Sequence, residues 1–317
     1  MELSIIIPVY NEEKNIEDLY RKILNHISCI SGDYEIVYVN DGSTDGTLSV
    51  LKQLRAGNNH VKIISFKRNF GQTAAIAAGI ESSCGDIVIT MDGDGQNDAE
   101  DIPRFLDKLN EGYEMVAGWR KIRHDSFFSR RLPSLLANRI ISVATNVKLH
   151  DNGCTMRAIR REALRDISLY GEMHRFVSIL IAWSGAKVAE IPVKHNPRIY
   201  GKTNYGIMRT FKVILDLLTL IFLKSYATKP IYIFGGTGII SVIASFVFVS
   251  ITVYQKLFSG DKLSIINNPL LHLSSLLFLM GTMLILIGLL AELIVRIYYE
   301  STNRGVYIIK EKIGFFD

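Results

Sequence analysis

Ile87-Val88-Ile89-Thr90-Met91-Asp92-Gly93-Asp94-Gly95-Gln96 runs from apolar and β-branched residues straight into two carboxylates separated by one glycine. Such a run reads as a buried strand, so the carboxylates stand at its tip. Two carboxylates placed this way can converge on a divalent cation. An all-oxygen set suits Mg²⁺ or Mn²⁺, which also take ligand phosphates to complete their shell. An EF-hand is excluded, because its glycine position holds Asn97 and its twelfth position Pro103. The competing reading is an acidic turn that caps the helix near Ile102.

Outward from this strand the chain alternates two periods. Strand-like runs occupy residues 4–9, 35–40, 61–66, 86–91, 113–118 and 188–193. Between them lie helical stripes: Ile16, Leu19, Tyr20, Ile23, Leu24 and Ile27; Leu48, Leu51 and Leu54; Ile102, Phe105, Leu106 and Leu109. This alternation predicts an α/β fold with a mainly parallel sheet covered on both faces. Such sheets bind ligands beyond the carboxyl ends of their strands.

The chain has 317 residues, 48% hydrophobic and 21% charged, which excludes a disordered or collagen-like chain. Lys and Arg number 36 against 31 Asp and Glu, a formal charge of +5. That balance suits a phosphate-bearing ligand or an anionic membrane, but it is too small to predict nucleic acid as a partner. Cys29, Cys84 and Cys154 form no C-x-x-C pair, so neither a disulfide framework nor a structural zinc site is expected.

Residues 231–254 and 263–291 contain no Asp, Glu, Lys or Arg. A helix crosses the hydrocarbon layer with roughly 20 apolar residues, so both runs qualify. The alternative is a helical hairpin buried in a soluble core. Arg209, Lys212, Lys224 and Lys229 precede the first run, and Arg296, Arg304, Lys310 and Lys312 follow the second. Only Lys256 and Lys262 lie between them, so the positive-inside rule places both ends in the cytoplasm. No signal peptide is expected at the start, where residues 3–10 are short and contain Pro8. Residues 206–223 mix Arg209, Lys212 and Asp216 with an apolar face. They read as an interfacial helix or as a core helix of the soluble part.

Polar clusters follow two other strands: Pro8-Val9-Tyr10-Asn11-Glu12 and Asn40-Asp41-Gly42-Ser43-Thr44-Asp45. Gly42 suits a tight turn, and Ser43, Thr44 or Asp45 can cap the next helix. Asp41 is not needed for that and can accept hydrogen bonds from a base or ribose. Arginines gather at Arg120, Arg123, Arg130 and Arg131, and again at Arg198 beside Lys202. Gly201-Lys202-Thr203 is no P-loop, since Asn196 stands where that motif has glycine. Arginine binds phosphate bidentately, although a solvated surface charge explains any one of these residues equally well.

The motifs Pro8-Val9-Tyr10-Asn11-Glu12, Asn40-Asp41-Gly42-Ser43, Asp92-Gly93-Asp94-Gly95-Gln96 and Arg198-x-Tyr200-Gly201 stand in order along the chain. In this it resembles the family 2 inverting glycosyltransferases of the GT-A fold. The most similar branch moves a sugar from a nucleotide to polyprenyl phosphate: dolichyl-phosphate mannose synthase-like proteins and the bacterial undecaprenyl-phosphate (bactoprenol) glucosyltransferases. The resemblance implies a Rossmann-like GT-A domain over 1–205 and a juxtamembrane amphipathic helix over 206–229. Transmembrane helices would follow over 230–254 and 269–295, joined by a loop over 255–268, with a cytosolic tail over 296–317. It also implies that Pro8, Tyr10, Glu12 and Asp41 hold the nucleoside, and that Asp92, Asp94 and Gln96 hold Mg²⁺ or Mn²⁺ and the diphosphate. Arg120, Arg198 and Lys202 would bind phosphates. Dolichyl enzymes carry a lysine six positions after the last arginine, where this chain has Asn204. The Gln-x-x-Arg-Trp signature of processive synthases is missing, which argues against polymer extension.

The expected reaction is an in-line displacement by polyprenyl phosphate at the anomeric carbon of a UDP-hexose, with glucose as the plain expectation. Galactose, an N-acetylhexosamine or an aminoarabinose derivative, a GDP donor as for mannose, and another lipid acceptor are the alternatives. A phosphate acceptor is mostly dianionic at neutral pH and hardly needs a base. Asp94 and Arg120 would manage charge, Arg123 and Arg131 would seat the acceptor, and Asp151 is the one candidate base. Asp151 reads equally well as a turn residue. Two rivals stand beside this reading: a hydroxyl acceptor, which would require a base, and a non-catalytic scaffold that binds nucleotide sugars. The partners expected are the UDP-sugar, the polyprenyl phosphate and the bilayer of the plasma (inner) membrane. A homo-oligomer and a downstream flippase are compatible with that set.

Overall fold

In β1 (Leu3–Val9), Leu3, Ile5, Ile7 and Val9 face one hydrophobic core and Ile6 faces another. The period-2 geometry of a strand sends alternate side chains to opposite faces, and here both faces are covered. The structure, a computed structural model, describes residues 2–27, 32–121, 138–139, 141–143, 145–165, 167, 169, 173–197, 231–258, 268–301 and 309–314.

Strands β2 (Tyr34–Asn40), β3 (Val61–Phe66) and β4 (Ile87–Thr90) lie parallel with β1 in the order β4-β1-β2-β3. Helices α1 (Ile16–Ile27), α2 (Thr47–Gly57) and α4 (Ile102–Asn110) cover one face through Ile16, Leu19, Ile23, Leu51, Ile102 and Phe105. Helix α3 (Gln72–Ser82) and α5 (Val177–Trp183) cover the other through Ala74, Ala75, Ala78, Val177 and Ile181. Strand β5 (Met115–Trp119) and β7 (Val188–Pro192) pair in parallel, and β6 (Arg157–Arg160) runs antiparallel between β4 and β5. Because β6 opposes both neighbours, β5 and β7 point the same way as β1. The segments after β1, β2, β4, β5 and β7 therefore emerge at one edge of the sheet.

The six predicted strands are all present. Two more were not expected. β6 is Arg-Ala-Ile-Arg, charged at both ends, and it shows no apolar run because Arg157 is itself buried. β8 (Ile309–Ile313) lies antiparallel on β3 and closes the sheet order β7-β5-β6-β4-β1-β2-β3-β8. Part of the expected tail is thus an edge strand that covers the backbone groups β3 would otherwise expose. Helix α3 also escaped the periodicity reading, because its buried face is alanine and glycine rather than large apolar residues.

Helices α6 (Ile231–Phe258) and α7 (Pro269–Ser301) extend beyond the ends expected for the two spans, 254 and 295. They run antiparallel, with Gly238 against Gly281: a Cβ on Gly238 would lie 2.6 Å from the Gly281 carbonyl oxygen, and one on Gly281 would lie 2.7 Å from that of Gly238. Small residues at such a crossing let two helices pack backbone to backbone. Only 17% of each apolar span is buried. Among the described residues, every exposed large hydrophobic except Tyr10 and Val143 lies on these two helices. Both helices are long and apolar enough to cross a membrane, whereas core helices of a soluble protein are mostly buried. The protein forms two compact units, Met1–Asp216 with Gly305–Asp317, and Leu217–Arg304. The juxtamembrane helix expected over 206–229 lies outside the described residues.

Candidate functional site

The segments after β1 and β2 are tied side chain to backbone. The Asn11 amide donates to Ser43 Oγ at 2.9 Å and the Thr44 amide to Asn11 Oδ1 at 2.8 Å. The Glu12 amide donates to Thr47 Oγ1 at 3.0 Å, and the Gly46 amide to Glu13 Oε2 at 3.1 Å. Pro8 sits within β1 beside Val39, and Tyr10 just past it is 45% exposed, available for stacking. The Glu12 carboxylate accepts the Asn15 side-chain amide at 2.5 Å.

Asp41 is buried, and both of its oxygens are in use. Oδ1 accepts the Phe70 amide at 2.7 Å and Oδ2 the Gly71 amide at 2.9 Å. Burial raises its carboxyl above the ordinary range, and the two amide bonds pull it back. The residue expected to meet the nucleoside is thus first a clamp on the β3–α3 segment. Gly42 beside it has φ +68, and a Cβ there would lie 2.3 Å from the Arg68 backbone carbon. Gly42→Ala therefore adds left-handed strain to a backbone clash. It is expected to destabilise by about 2 kcal/mol or more, read as a lowered melting temperature together with weakened nucleotide binding.

Asp92 is held from three sides. Gln72 Nε2 donates to Oδ1 at 2.6 Å, Thr155 Oγ1 donates to Oδ2 at 2.6 Å, and the Asp92 amide donates to Asn97 Oδ1 at 2.9 Å. Asp94 is buried and accepts the Gln96 amide at 3.1 Å. Between the two, a Cβ on Gly93 would lie 2.5 Å from Val9 Cγ1 and 3.1 Å from the Pro8 carbonyl oxygen, so this turn packs directly on the end of β1. The capping alternative fails here. Asp98, not Asp92 or Asp94, accepts the Glu100 amide at the start of the helical segment.

Burial pushes the Asp92 carboxyl up, and the charge of Asp94 pushes it further, to about 6; the Thr155 hydroxyl and the cations Arg120 and Arg157 oppose the rise. The same carboxyl titrates near 3.8 when unperturbed. Between those values the folded state binds more protons than the unfolded one, so metal-free stability falls as pH rises through that window. A bound cation competes with the proton. If Asp92 holds a cation, as proposed below, Mn²⁺ affinity in the presence of UDP is expected to rise with pH as this carboxyl loses its proton and then to level off. Thermal shift titrations at several pH values check this, and Asp92→Asn should flatten the profile.

Arg120 and Asp151 were assigned separate roles, to a phosphate and as a base. The structure pairs them. Arg120 Nε donates to Asp151 Oδ2 at 2.7 Å and Nη2 to Oδ1 at 2.9 Å. The amides of Arg120 and Gly153 add bonds at 3.3 and 3.2 Å. Four donors occupy the lone pairs that a base would use. Arg157, buried on β6, instead donates to the carbonyls of His174 and Asn152 at 2.7 and 3.1 Å. Cys154, next to this group, is buried and its thiol is pushed up to about 11, which makes it unreactive at neutral pH.

The segment after β7 flanks the acidic turn: the Asn196 amide donates to the Gln96 carbonyl at 2.9 Å, and Asn97 bridges to His195. Arg198 and Lys202 lie outside the described residues, as do Arg123, Arg130, Arg131 and Asn204. Gln72, Asn97, Thr155 and Arg157 are site residues the sequence reading did not single out for the acidic tip. Phe70 to Thr73 at the entry to α3 and His174-Arg175 just before α5 lie on separate segments. The structure joins them, with Gln72 on Asp92 and Thr73 Oγ1 2.7 Å from His174 Nδ1.

Two carboxylates at a strand tip fit Mg²⁺ or Mn²⁺ chemically. No group of three His, Cys, Asp or Glu side chains gathers among the described residues, so ligand oxygens would complete the shell.

The sequence matches the Glycosyl transferase family 2 domain over residues 4–168. It is 36% identical over 316 residues to dodecaprenyl-phosphate galacturonate synthase of Rhizobium johnstonii, covering 98% of this chain and 93% of that protein. It is 33% identical over 315 residues to undecaprenyl-phosphate 4-deoxy-4-formamido-L-arabinose transferase of Proteus mirabilis, covering 99% and 94%. The fold is shared with glucosyl-3-phosphoglycerate synthase of Mycobacterium tuberculosis, solved with Mn²⁺, UDP and phosphoglyceric acid. There the TM-score is 0.53 and the identity 19%, covering 69% of this chain and 78% of that one. The chain belongs to glycosyltransferase family 2 and is a GT-A glycosyltransferase.

Proposed function

We propose that the protein transfers a sugar from a UDP-sugar to a polyprenyl phosphate at the cytoplasmic face of the plasma membrane, with inversion at the anomeric carbon. The observation that carries this reading is the acidic tip: Asp92 braced by Gln72 and Thr155 beside buried Asp94, in a chain related over nearly its full length to two polyprenyl-phosphate sugar transferases. Asp92, Asp94 and Gln96 would hold Mg²⁺ or Mn²⁺, supplying positive charge to the departing diphosphate. The solved neighbour of the same fold, which holds UDP and Mn²⁺, supports the choice of nucleotide and cation.

In the reaction an acceptor phosphate oxygen forms a bond to the anomeric carbon, and the bond from that carbon to the UDP oxygen breaks. The acceptor needs no deprotonation at neutral pH. This chain's own part is placement and charge. The clamp of Asp41 on Phe70 and Gly71 sets the entry to α3, from which Gln72 reaches Asp92. Tyr10 and Pro8 would line the uracil side, and Arg198 and Lys202 would add phosphate contacts.

Glucose, the sugar expected from the sequence, draws no support from the two relatives. We assign a uronic acid or a formamido-pentose as the donor sugar. Detergent-solubilised protein with undecaprenyl phosphate and a panel of UDP-galacturonate, the UDP-linked formamido-arabinose and UDP-glucose, each with and without EDTA, tests the reading. Transfer from either of the first two, lost with EDTA, is the expected result. Transfer from UDP-glucose alone overturns the donor assignment.

Connectivity supports this membrane arrangement. The chain leaves the sheet unit for two apolar helices and returns to it as β8, so it would cross a bilayer an even number of times. The lysines and arginines flanking the spans favour the cytoplasm for the sheet unit.

A further inference from the structure

Beside the Arg120–Asp151 pair lies a second built group that the acidic tip does not use. Glu190 on β7 has a side chain only 10% exposed, and its carboxylate gathers donors from one short segment. It accepts the His150 amide at 2.9 Å, His150 Nδ1 at 2.8 Å and the Asp151 amide at 3.1 Å. The His150 ring stacks on Trp119, with centroids 4.4 Å apart and planes at 22°. Two independent contacts therefore fix this ring, yet its side chain is 66% exposed. Lys121 Nζ stands 5.7 Å from the same Trp119 ring. Nδ1 is committed to Glu190, so Nε2 is the ring nitrogen left to meet a ligand.

Trp119 ends β5, at the sheet edge that also carries Asp92. Arg120 and Asp151, the residues next to Trp119 and His150, spend their charges on each other. Arg157 is buried against carbonyls. Among the described residues around the Trp119 ring, His150 and Lys121 are the basic groups that face solvent. An orienting carboxylate behind an imidazole is how proteins aim the second ring nitrogen. Nε2 donates to a phosphate oxygen when it carries a proton and accepts from a phosphate hydroxyl when it does not, so one hydrogen bond joins the two in either form.

We propose that His150, aimed by Glu190 and Trp119 and joined by Lys121, receives the phosphate group of the lipid acceptor. This rests on the polyprenyl-phosphate reading above. Glu190 is a positioning residue that acts through the ring.

The test separates the two substrates. His150→Gln in the full chain is expected to raise the acceptor KM by about tenfold or more, the scale of a lost charge-assisted hydrogen bond, while the donor KM moves less than about twofold. Glu190→Gln should give a smaller change in the same direction, with the melting temperature recorded for each variant. Calorimetry with farnesyl phosphate and farnesol supplies a reading independent of turnover: the wild type should prefer the phosphate, and His150→Gln should lose that preference. If the wild type transfers sugar and binds the phosphate while His150→Gln behaves identically, the proposal alone falls. A donor KM rising with the acceptor KM also overturns it, pointing to the UDP-sugar's diphosphate as the anion bound. A wild type that neither binds farnesyl phosphate nor transfers to undecaprenyl phosphate removes the functional reading and this proposal together.

Discussion

Asp94→Ala is expected to lower sugar transfer by about 10³-fold or more at saturating Mn²⁺, because in the proposed mechanism this carboxylate holds the cation whose charge offsets the departing diphosphate in the transition state. The fold should survive the change. Asp94 accepts the Gln96 amide, and the turn it serves is also set by Gly95 at φ +74 and by the packing of Gly93 on Val9. Each hydrogen bond lost costs about 1 kcal/mol, and removing the Asp94 charge also relieves the repulsion that pushes the Asp92 carboxyl up. Asp94→Asn retains an oxygen acceptor but removes the charge, so it should be nearly as inactive. If Asp94 served only its own turn, Asp94→Asn would be close to wild type. Full activity of Asp94→Ala, or equal activity with and without EDTA, would remove the cation from the mechanism.

The Arg120–Asp151 pair carries the second large effect, and there it falls on stability. Asp151 is 1% exposed in its side chain and Arg120 20%, with two short bonds between them. Removing one partner strands a largely buried charge, at about 3–5 kcal/mol. Asp151→Ala is therefore expected to drop the melting temperature of the sheet unit by on the order of 10 °C. Arg120→Met combined with Asp151→Leu should recover much of that loss, since neither charge is then stranded. A base role makes a different prediction: Asp151→Asn would abolish turnover while leaving the melting temperature untouched. Calorimetry and initial rates on the same three variants distinguish the two outcomes. A stable, inactive Asp151→Asn would favour a hydroxyl acceptor over the phosphate.

Much of the parallel half of the sheet was legible. Strands β1 to β4 are almost wholly apolar because both of their faces are buried, and the helices between them carry large residues at helical spacing. What could not be read was built from atypical residues. β6 offers two arginines and becomes a strand because its ladder lies between β4 and β5, with the Arg157 guanidinium donating to the carbonyls of Asn152 and His174. α3 buries alanines, where Gly79 lies so near Ile6 that a Cβ would approach it to 2.4 Å. β8 alternates Ile-Lys-Glu-Lys-Ile, a weak signal far along the chain from the strand it meets.

The residues of the site divide in the same way. Asp92 and Asp94 were identifiable from their place after a buried strand, since chain order alone puts them at its tip. Thr155 and Gln72 were not. They lie 63 and 20 residues away from Asp92 and contact it only because β6 and α3 pack beside β4. Arg120 and Asp151 were each noticed, but as independent charges.

By itself the amino-acid order determined the α/β class, the acidic strand tip and the two apolar spans, because each depends on residues close in sequence and on the side-chain period of a strand or helix. Only the tertiary structure decided which charges stay available. Ion pairing and hydrogen bonding act across a few ångströms of space, whatever the separation along the chain. Those contacts turned Arg120 and Asp151 into partners, committed Asp41 to a loop, and left His150 and Lys121 facing solvent beside Trp119.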